Sequence, residues 1–499
     1  MFYLTLLTFL PLATAVVIVL LARNDAVVSR YIALGGSLLT LLLVLYLVVT
    51  SHLDFSGTNG THFMYEEHVP WLPQIGSSYH LGMDGLSLLL VLLTTILVPV
   101  AILMSNESIT ERVPLYMGLV LLLETSLLGV FLSLDLILFY VFWEGVLIPA
   151  YLLIGVYGGE RRVYAALKYV LYTMIGSLLM LVGVVGVYVF SPLRSTFDIV
   201  SLSQPQALAS PALQVPLLIF FGLAFAIKSA LFPFHSWAPD VYGESATPTT
   251  MLLAGVVSKM GVYGFLRIAL PLFPAATRQF AGVAATLAVI GIIYGALLAL
   301  AQLDAKRLVA CSSISHMCFI LLGVFALNEQ GVQGATLQMF NHGITTAALF
   351  AIIGAIAWRW GTTDLRRLEG LGQRARVLSV VFIVVALSSL GLPGLNSFAG
   401  EFLILLGAFR DAGVFGVAGT IGVILAAWYM LRLYQGIMQG AKMEPSERPT
   451  HGMALRANEL AALLPLIVLI VWIGVAPAGW LHPASSAARY IVDAVSGAH

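Results

Sequence analysis

The sequence predicts an all-α polytopic membrane protein of about 14 transmembrane helices, and three observations carry that expectation. Hydrophobic residues make up 60% of the 499, charged residues only 10%, and mean hydropathy is +0.97. That much apolar surface has no place in a soluble domain of this length. At roughly 20–25 residues per span plus short loops, the chain holds a dozen to fifteen crossings. Finally, apolar runs recur along the whole length, interrupted by short polar connections.

The runs fall at 2–22, 29–50, 82–104, 113–132, 134–157, 164–190, 212–232, 246–270, 279–301, 306–326, 333–358, 378–406, 412–435 and 459–480, and we number them spans 1 to 14. The N-terminal run has no basic flank and no small-residue cleavage site, so it reads as the first span rather than a removed signal. Segment 51–81, rich in Gly, His, Asn and Ser, is a polar interruption without a single Lys or Arg. Cys311 and Cys318 lie two turns apart on one helix, too distant for a disulfide and without metal-ligand spacing.

Orientation follows from the 24 Lys and Arg. Seventeen fall on the side that receives the loop after span 1, including Arg112, Arg161, Lys306, Arg366 and Arg448. Five fall opposite: Arg194, Arg267, Arg278, Arg410 and Arg489. Positive charge collects on the cytoplasmic face, so both termini are expected on the opposite side. Zero net charge gives no reason to expect a nucleic-acid partner.

Two spans contain breaks. Span 7 runs from Phe225-Ala-Ile-Lys228 into Leu231-Phe-Pro-Phe-His-Ser-Trp-Ala238, and span 12 carries Leu392-Pro-Gly-Leu-Asn-Ser-Phe-Ala399. Proline removes a donor and frees a carbonyl, which a membrane tolerates only where protein or water satisfies it. The two breaks are five spans apart, so they would sit in opposite orientations. Paired broken helices in inverted repeats point to a transport pathway.

Ionisable groups inside the spans locate that pathway. Glu144, Lys228, Lys259 and Glu401 each sit within an apolar run. A charge at mid-membrane depth costs about 2.5–3.5 kcal/mol on insertion scales, so such residues are rare without a function. The bland reading is a snorkelling side chain or a structural ion pair. Glu144 and Lys259 lie too deep in their spans to snorkel easily. Burial favours the neutral amine and a nearby carboxylate favours the ammonium, so lysines and carboxylates on separate helices form a row of switchable proton affinities. Glu124 is a fifth acidic candidate, either touching the helix of Glu144 or hydrogen-bonded to Thr and Ser neighbours. His235, His316 and His342 fall between these charges and can pass protons through either ring nitrogen; His235 is placed as a bridge from Lys228 towards Lys259.

No Walker motif, no strand-borne GxGxxG, no CxxC pair and no CxxCH occurs. The chain is therefore expected to hold no cofactor or metal of its own.

Several stretches resemble the antiporter-like membrane subunits of respiratory complex I, the proton-translocating NADH:quinone oxidoreductase, chain M type. They are Leu81-Gly-Met-Asp-Gly-Leu-Ser-Leu88, Phe142-Trp-Glu-Gly-Val-Leu-Ile-Pro149, Phe225-Ala-Ile-Lys228, Leu253-Ala-Gly-Val-Val-Ser-Lys-Met-Gly-Val-Tyr-Gly264, Asp304-Ala-Lys-Arg-Leu308, Ser313-Ile-Ser-His-Met317 and Gly400-Glu-Phe-Leu-Ile404. The resemblance spans runs 3 to 12 in order. It implies two inverted five-helix repeats, spans 4–8 and 9–13, with helices 7 and 12 discontinuous. The corresponding division is 1–110, 111–270, 271–440 and 441–499. It also implies that Glu144 pairs with Lys228, that Lys259 links the half-channels, and that Glu401 leads to the exit. Glutamate at 401 favours chain M over siblings that carry lysine there. Ser258, Ala238 and Cys318 depart from the usual pattern without touching the charges. The implied partners are L- and N-type siblings, the lipid bilayer and protons, while NADH, FMN, iron–sulfur clusters and a quinone belong to other subunits. Multi-subunit sodium/proton antiporters and membrane-bound hydrogenase complexes share the pattern, and a scaffold role is the bland alternative.

Overall fold

The computed structural model describes residues 2–51, 62–191, 196–204, 210–411, 413–440, 452 and 454–497. Arg194, Lys442 and Arg448, three of the charges used for orientation, lie outside them. Thirteen of the described helices are long and apolar enough to cross a membrane, from Tyr3–Leu21 to Ala457–Val475. The remaining expected span, the twelfth, is two shorter helices, Arg376–Ser389 and Asn396–Asp411. Spans 8, 10 and 11, at Thr247–Leu272, Ala305–Phe325 and Glu329–Trp360, are enclosed by the others, whereas spans 1, 2 and 13 expose rows of Leu, Val and Ile. Fully surrounded helices are the natural place for buried polar groups, since lipid cannot satisfy them.

Helix starts follow their caps. Asp25, Asp84, Asp135 and Asp304 each accept a backbone N–H of the first turn. Span 5 differs from its expected continuity: it is divided into Leu136–Gly145 and Leu147–Tyr157, immediately after Glu144.

Two elements escape a hydropathy reading. Segment 51–81 is not merely loop, because β1 (Met64–Leu72) and β2 (Ser77–Met83) form an antiparallel hairpin. Glu67 of β1 accepts bonds from Leu4 N at 2.6 Å and Thr5 Oγ1 at 2.5 Å, placing a carboxylate on the N-terminus of span 1. Asp135 accepts from Ser77 Oγ and Ser78 N while capping span 5. The hairpin thus ties spans 1 and 5 on one face. After span 14, Ala478–Ser496 forms an amphipathic helix that returns to the same face, where Pro483 meets Gly85 and Arg489 pairs with Glu329.

Candidate proton pathway

Span 7 is helical over Pro211–Lys228 and resumes as Trp237–Glu244. Trp237 Nε1 donates to the Ile227 carbonyl at 2.9 Å, repairing the backbone that the break frees. Lys228, 2% exposed, ends the first half. Its Nζ donates to Tyr169 Oη at 3.1 Å and lies 5.5 Å from the Trp143 ring centroid and 5.3 Å from that of Tyr169. An ammonium over aromatic faces is stabilised without being fixed to one acceptor. No direct ion pair within 4.0 Å joins it to Glu144. The direct pairing implied by the resemblance is therefore absent here: Trp143 and Tyr169 surround the amine instead.

Glu124 is completely buried in span 4, and neither carboxylate oxygen has a hydrogen-bond partner among the described residues. The Thr and Ser bonds anticipated for it do not form. Ser126, two residues on, packs on Gly145 beside Glu144. His235 differs from its expected place. Its ring stacks on Phe232 at 5.7 Å and meets Tyr294 edge-on at 5.0 Å; among the described residues its Nδ1 has no partner and no bond reaches either lysine. Spans 7 and 8 come together without it. A Cβ on Gly261 would fall 2.1 Å from Ser229 Oγ and 2.2 Å from the Phe225 carbonyl, so only glycine allows this approach. The buried Ser229 hydroxyl, next to Lys228, is the polar group at that contact.

Span 8 holds Lys259 between two π-helical turns, Leu253–Val257 and Phe265–Ala269. Such turns release carbonyls from the ordinary ladder and gather at functional sites. Here Lys259 Nζ donates to the Ala254 carbonyl at 2.6 Å and reaches Ser258 Oγ at 3.3 Å. Its third contact crosses to span 11: His342 Nδ1 lies 2.8 Å away. The His342 ring centroid is 5.4 Å from that of His316 in span 10. His316 in turn places Nδ1 3.5 Å from Glu401 Oε1 and Nε2 3.0 Å from Tyr429 Oη. Gln338 Nε2 donates to Glu401 at 3.1 Å. Four helices thus bring Lys259, His342, His316 and Glu401 into one buried row, with a ring-to-ring step rather than a hydrogen bond between the two histidines.

The break in span 12 positions the last member. Gly391 and Gly394 take φ of 76° and 91°, and a Cβ on Gly391 would lie 2.5 Å from Glu401 Oε2. Asn396 closes the break: Ser388 Oγ donates to its Oδ1 at 2.5 Å, and Asn341 Nδ2 donates to its carbonyl at 2.7 Å. Sequence reasoning found the charged residues because charge is conspicuous in an apolar run. It missed Tyr169, Gln338, Tyr429 and Ser229, which look like ordinary helix residues; only an intramembrane glutamine such as Gln338 offered a signal.

Both cysteines are buried and free. Apolar helices long enough to cross a membrane, packed around a buried row of ionisable groups, define a polytopic membrane protein. Residues 133–426 match the model of the family described as NADH:quinone oxidoreductase/Mrp antiporter, transmembrane, and the chain belongs to that family. It is 37% identical over 472 residues to NADH-quinone oxidoreductase subunit M of Rickettsia prowazekii, covering 94% of each. With subunit M of Pseudomonas aeruginosa it shares 39% over 467 residues, 91% of this chain and 90% of that one. Among solved structures, a chain of respiratory complex I from Thermus thermophilus with bound NADH superimposes with a TM-score of 0.86 at 32% identity, covering 98% and 99%.

Proposed function

We propose that this chain is the M-type proton-translocating subunit in the membrane arm of a bacterial NADH:quinone oxidoreductase. The single observation that carries the reading is the buried row Lys259–His342–His316–Glu401. Membrane proteins keep such groups in contact with one another when they conduct protons. Glutamate at 401 and the similarity to subunit M of Rickettsia and Pseudomonas support the M type.

A proton on Lys259 Nζ passes to His342 Nδ1, leaves that ring for His316, and reaches Glu401. Each transfer is a neutral-to-charged exchange between groups already in contact or separated by one ring-to-ring step, a gap that one water spans. Lys228 is the gate. Held over Trp143 and Tyr169 rather than paired, it responds to any movement of Glu144 at the Gly145 break. Quinone reduction in sister subunits supplies the energy, since moving one charge against 100 mV costs about 2.3 kcal/mol. Spans 4–8 and 9–13 act as inverted repeats, one half-channel each.

On this reading the L- and N-type subunits flank the chain, and NADH, FMN, iron–sulfur clusters and the quinone reside elsewhere in the complex. The positive-inside bias puts both termini on the periplasmic side of the inner membrane. Affinity isolation through a tag on this chain, followed by reconstitution in vesicles, tests the assignment. NADH oxidation by a quinone analogue that acidifies the vesicles without sodium supports it. Sodium-dependent antiport, or hydrogen evolution, with no NADH chemistry refutes it.

A further inference from the structure

On the hairpin, His68 and His80 are cross-strand partners whose rings stack at 4.2 Å and 5°. Glu66 precedes His68 by two residues and shares its outward face. His80 itself is buried, and both of its ring nitrogens meet carboxylates: Nδ1 lies 2.6 Å from Asp198 Oδ2 and Nε2 lies 2.9 Å from Glu66 Oε1. Neutral imidazole has one N–H. An imidazolium donates from both nitrogens, so either its second N–H or a cation in that hydrogen's place meets the Glu66 oxygen. The 51–81 segment supplies no Lys or Arg for the purpose. A third donor is at hand, because ligand atoms of Glu66, His68 and His80 all lie within 4.8 Å of one another.

We propose that Glu66, His68 and His80 bind one divalent metal ion of the zinc class, with Asp198 as the outer carboxylate that orients His80. Two imidazoles and one carboxylate suit zinc, leaving a fourth position for water. A carboxylate on the far nitrogen of a ligating histidine fixes its tautomer and raises its basicity. Because the two rings stack nearly parallel, His68, which is exposed, must turn out of the stack for both imidazole lone pairs to meet one ion at about 2.1 Å. The bound ion fastens β1 to β2 and, through Asp198, to the connection between spans 6 and 7. None of these four groups is Lys228 or a member of the row from Lys259 to Glu401, so the site stands apart from the proposed proton path.

The test uses the intact purified complex, stripped with a chelator, dialysed against zinc alone and measured for bound metal. Wild type should retain one more zinc per complex than His68→Ala or Glu66→Gln, both exposed positions that folding tolerates. Asp198→Asn should weaken that zinc about 10–100-fold, as outer carboxylates do elsewhere. Zinc-edge absorption of the extra equivalent should show nitrogen and oxygen neighbours. Equal zinc in wild type and His68→Ala overturns the proposal, as does no zinc at all, which would make a proton the bridge, or sulfur neighbours at the edge.

Discussion

Replacing His342 with leucine removes the imidazole that lies 2.8 Å from Lys259 Nζ and 5.4 Å from the His316 ring. Lys259 keeps the Ala254 carbonyl at 2.6 Å and Ser258 at 3.3 Å, so it loses one acceptor of three. Depriving a buried group of one partner costs about 1–3 kcal/mol of stability, which a large assembled complex tolerates. The effect on transfer is larger. A positioned proton carrier contributes about 10²–10⁴-fold to rate, or about 2.7–5.4 kcal/mol at about 1.36 kcal/mol per decade. Proton uptake by proteoliposomes during NADH oxidation should therefore fall at least a hundredfold, with the subunit present at wild-type level on native gels. His342→Gln separates the two contributions, because an amide restores the acceptor for Lys259 but cannot accept and release a proton. It should assemble normally and still not pump. Wild-type proton flux in either variant would refute the reasoning that the row is conducting.

Gly391→Ala would strain a backbone at φ 76° by about 1–2 kcal/mol and drive a Cβ towards Glu401 Oε2. Its expected outcome is a several-fold loss of pumping in vesicles with the subunit still assembled. Tyr169→Phe removes the one hydroxyl bonded to Lys228 Nζ but keeps the ring beneath it. Pumping should slow modestly, whereas Tyr169→Ala, which removes both, should abolish it in the same assay. Glu67→Gln weakens the carboxylate that binds Leu4 N and Thr5, costing about 1–3 kcal/mol. The midpoint of thermal disassembly should drop while protons per electron stay unchanged. Glu459→Gln deprives the fully buried Arg359 guanidinium of its carboxylate, a change worth about 3–5 kcal/mol. Immunoblots should show less subunit in the membrane.

Much of the architecture was legible because lipid imposes one rule: a crossing must be a long apolar helix. Pro233 and Pro393 marked the two broken spans for the same reason. The hairpin was hidden because Met64–Leu72 mixes acidic, aromatic and apolar residues without clean alternation, so neither face declares itself. Ala478–Ser496 raises no span in the hydropathy reading because alanine and serine dilute its apolar stripe. In the site, Glu144, Lys228, Lys259 and Glu401 announced themselves by charge, but their partners did not. The π-helical turns around Lys259 leave no mark in composition, since any apolar residue fits them. His235 looked like the bridge because it follows Lys228 closely in sequence. Chain proximity misled there: the break turns its ring towards Phe232 and Tyr294, and the spans meet instead through Ser229 and Gly261.

The central claim is that buried amines and carboxylates in this chain carry protons, with Lys228 as the gate. Its most direct test is the proton flux accompanying NADH oxidation in vesicles that hold the fully assembled Lys228→Ala complex. Flux below a tenth of wild type at equal subunit content is expected. Flux at the wild-type ratio of protons to electrons would contradict it.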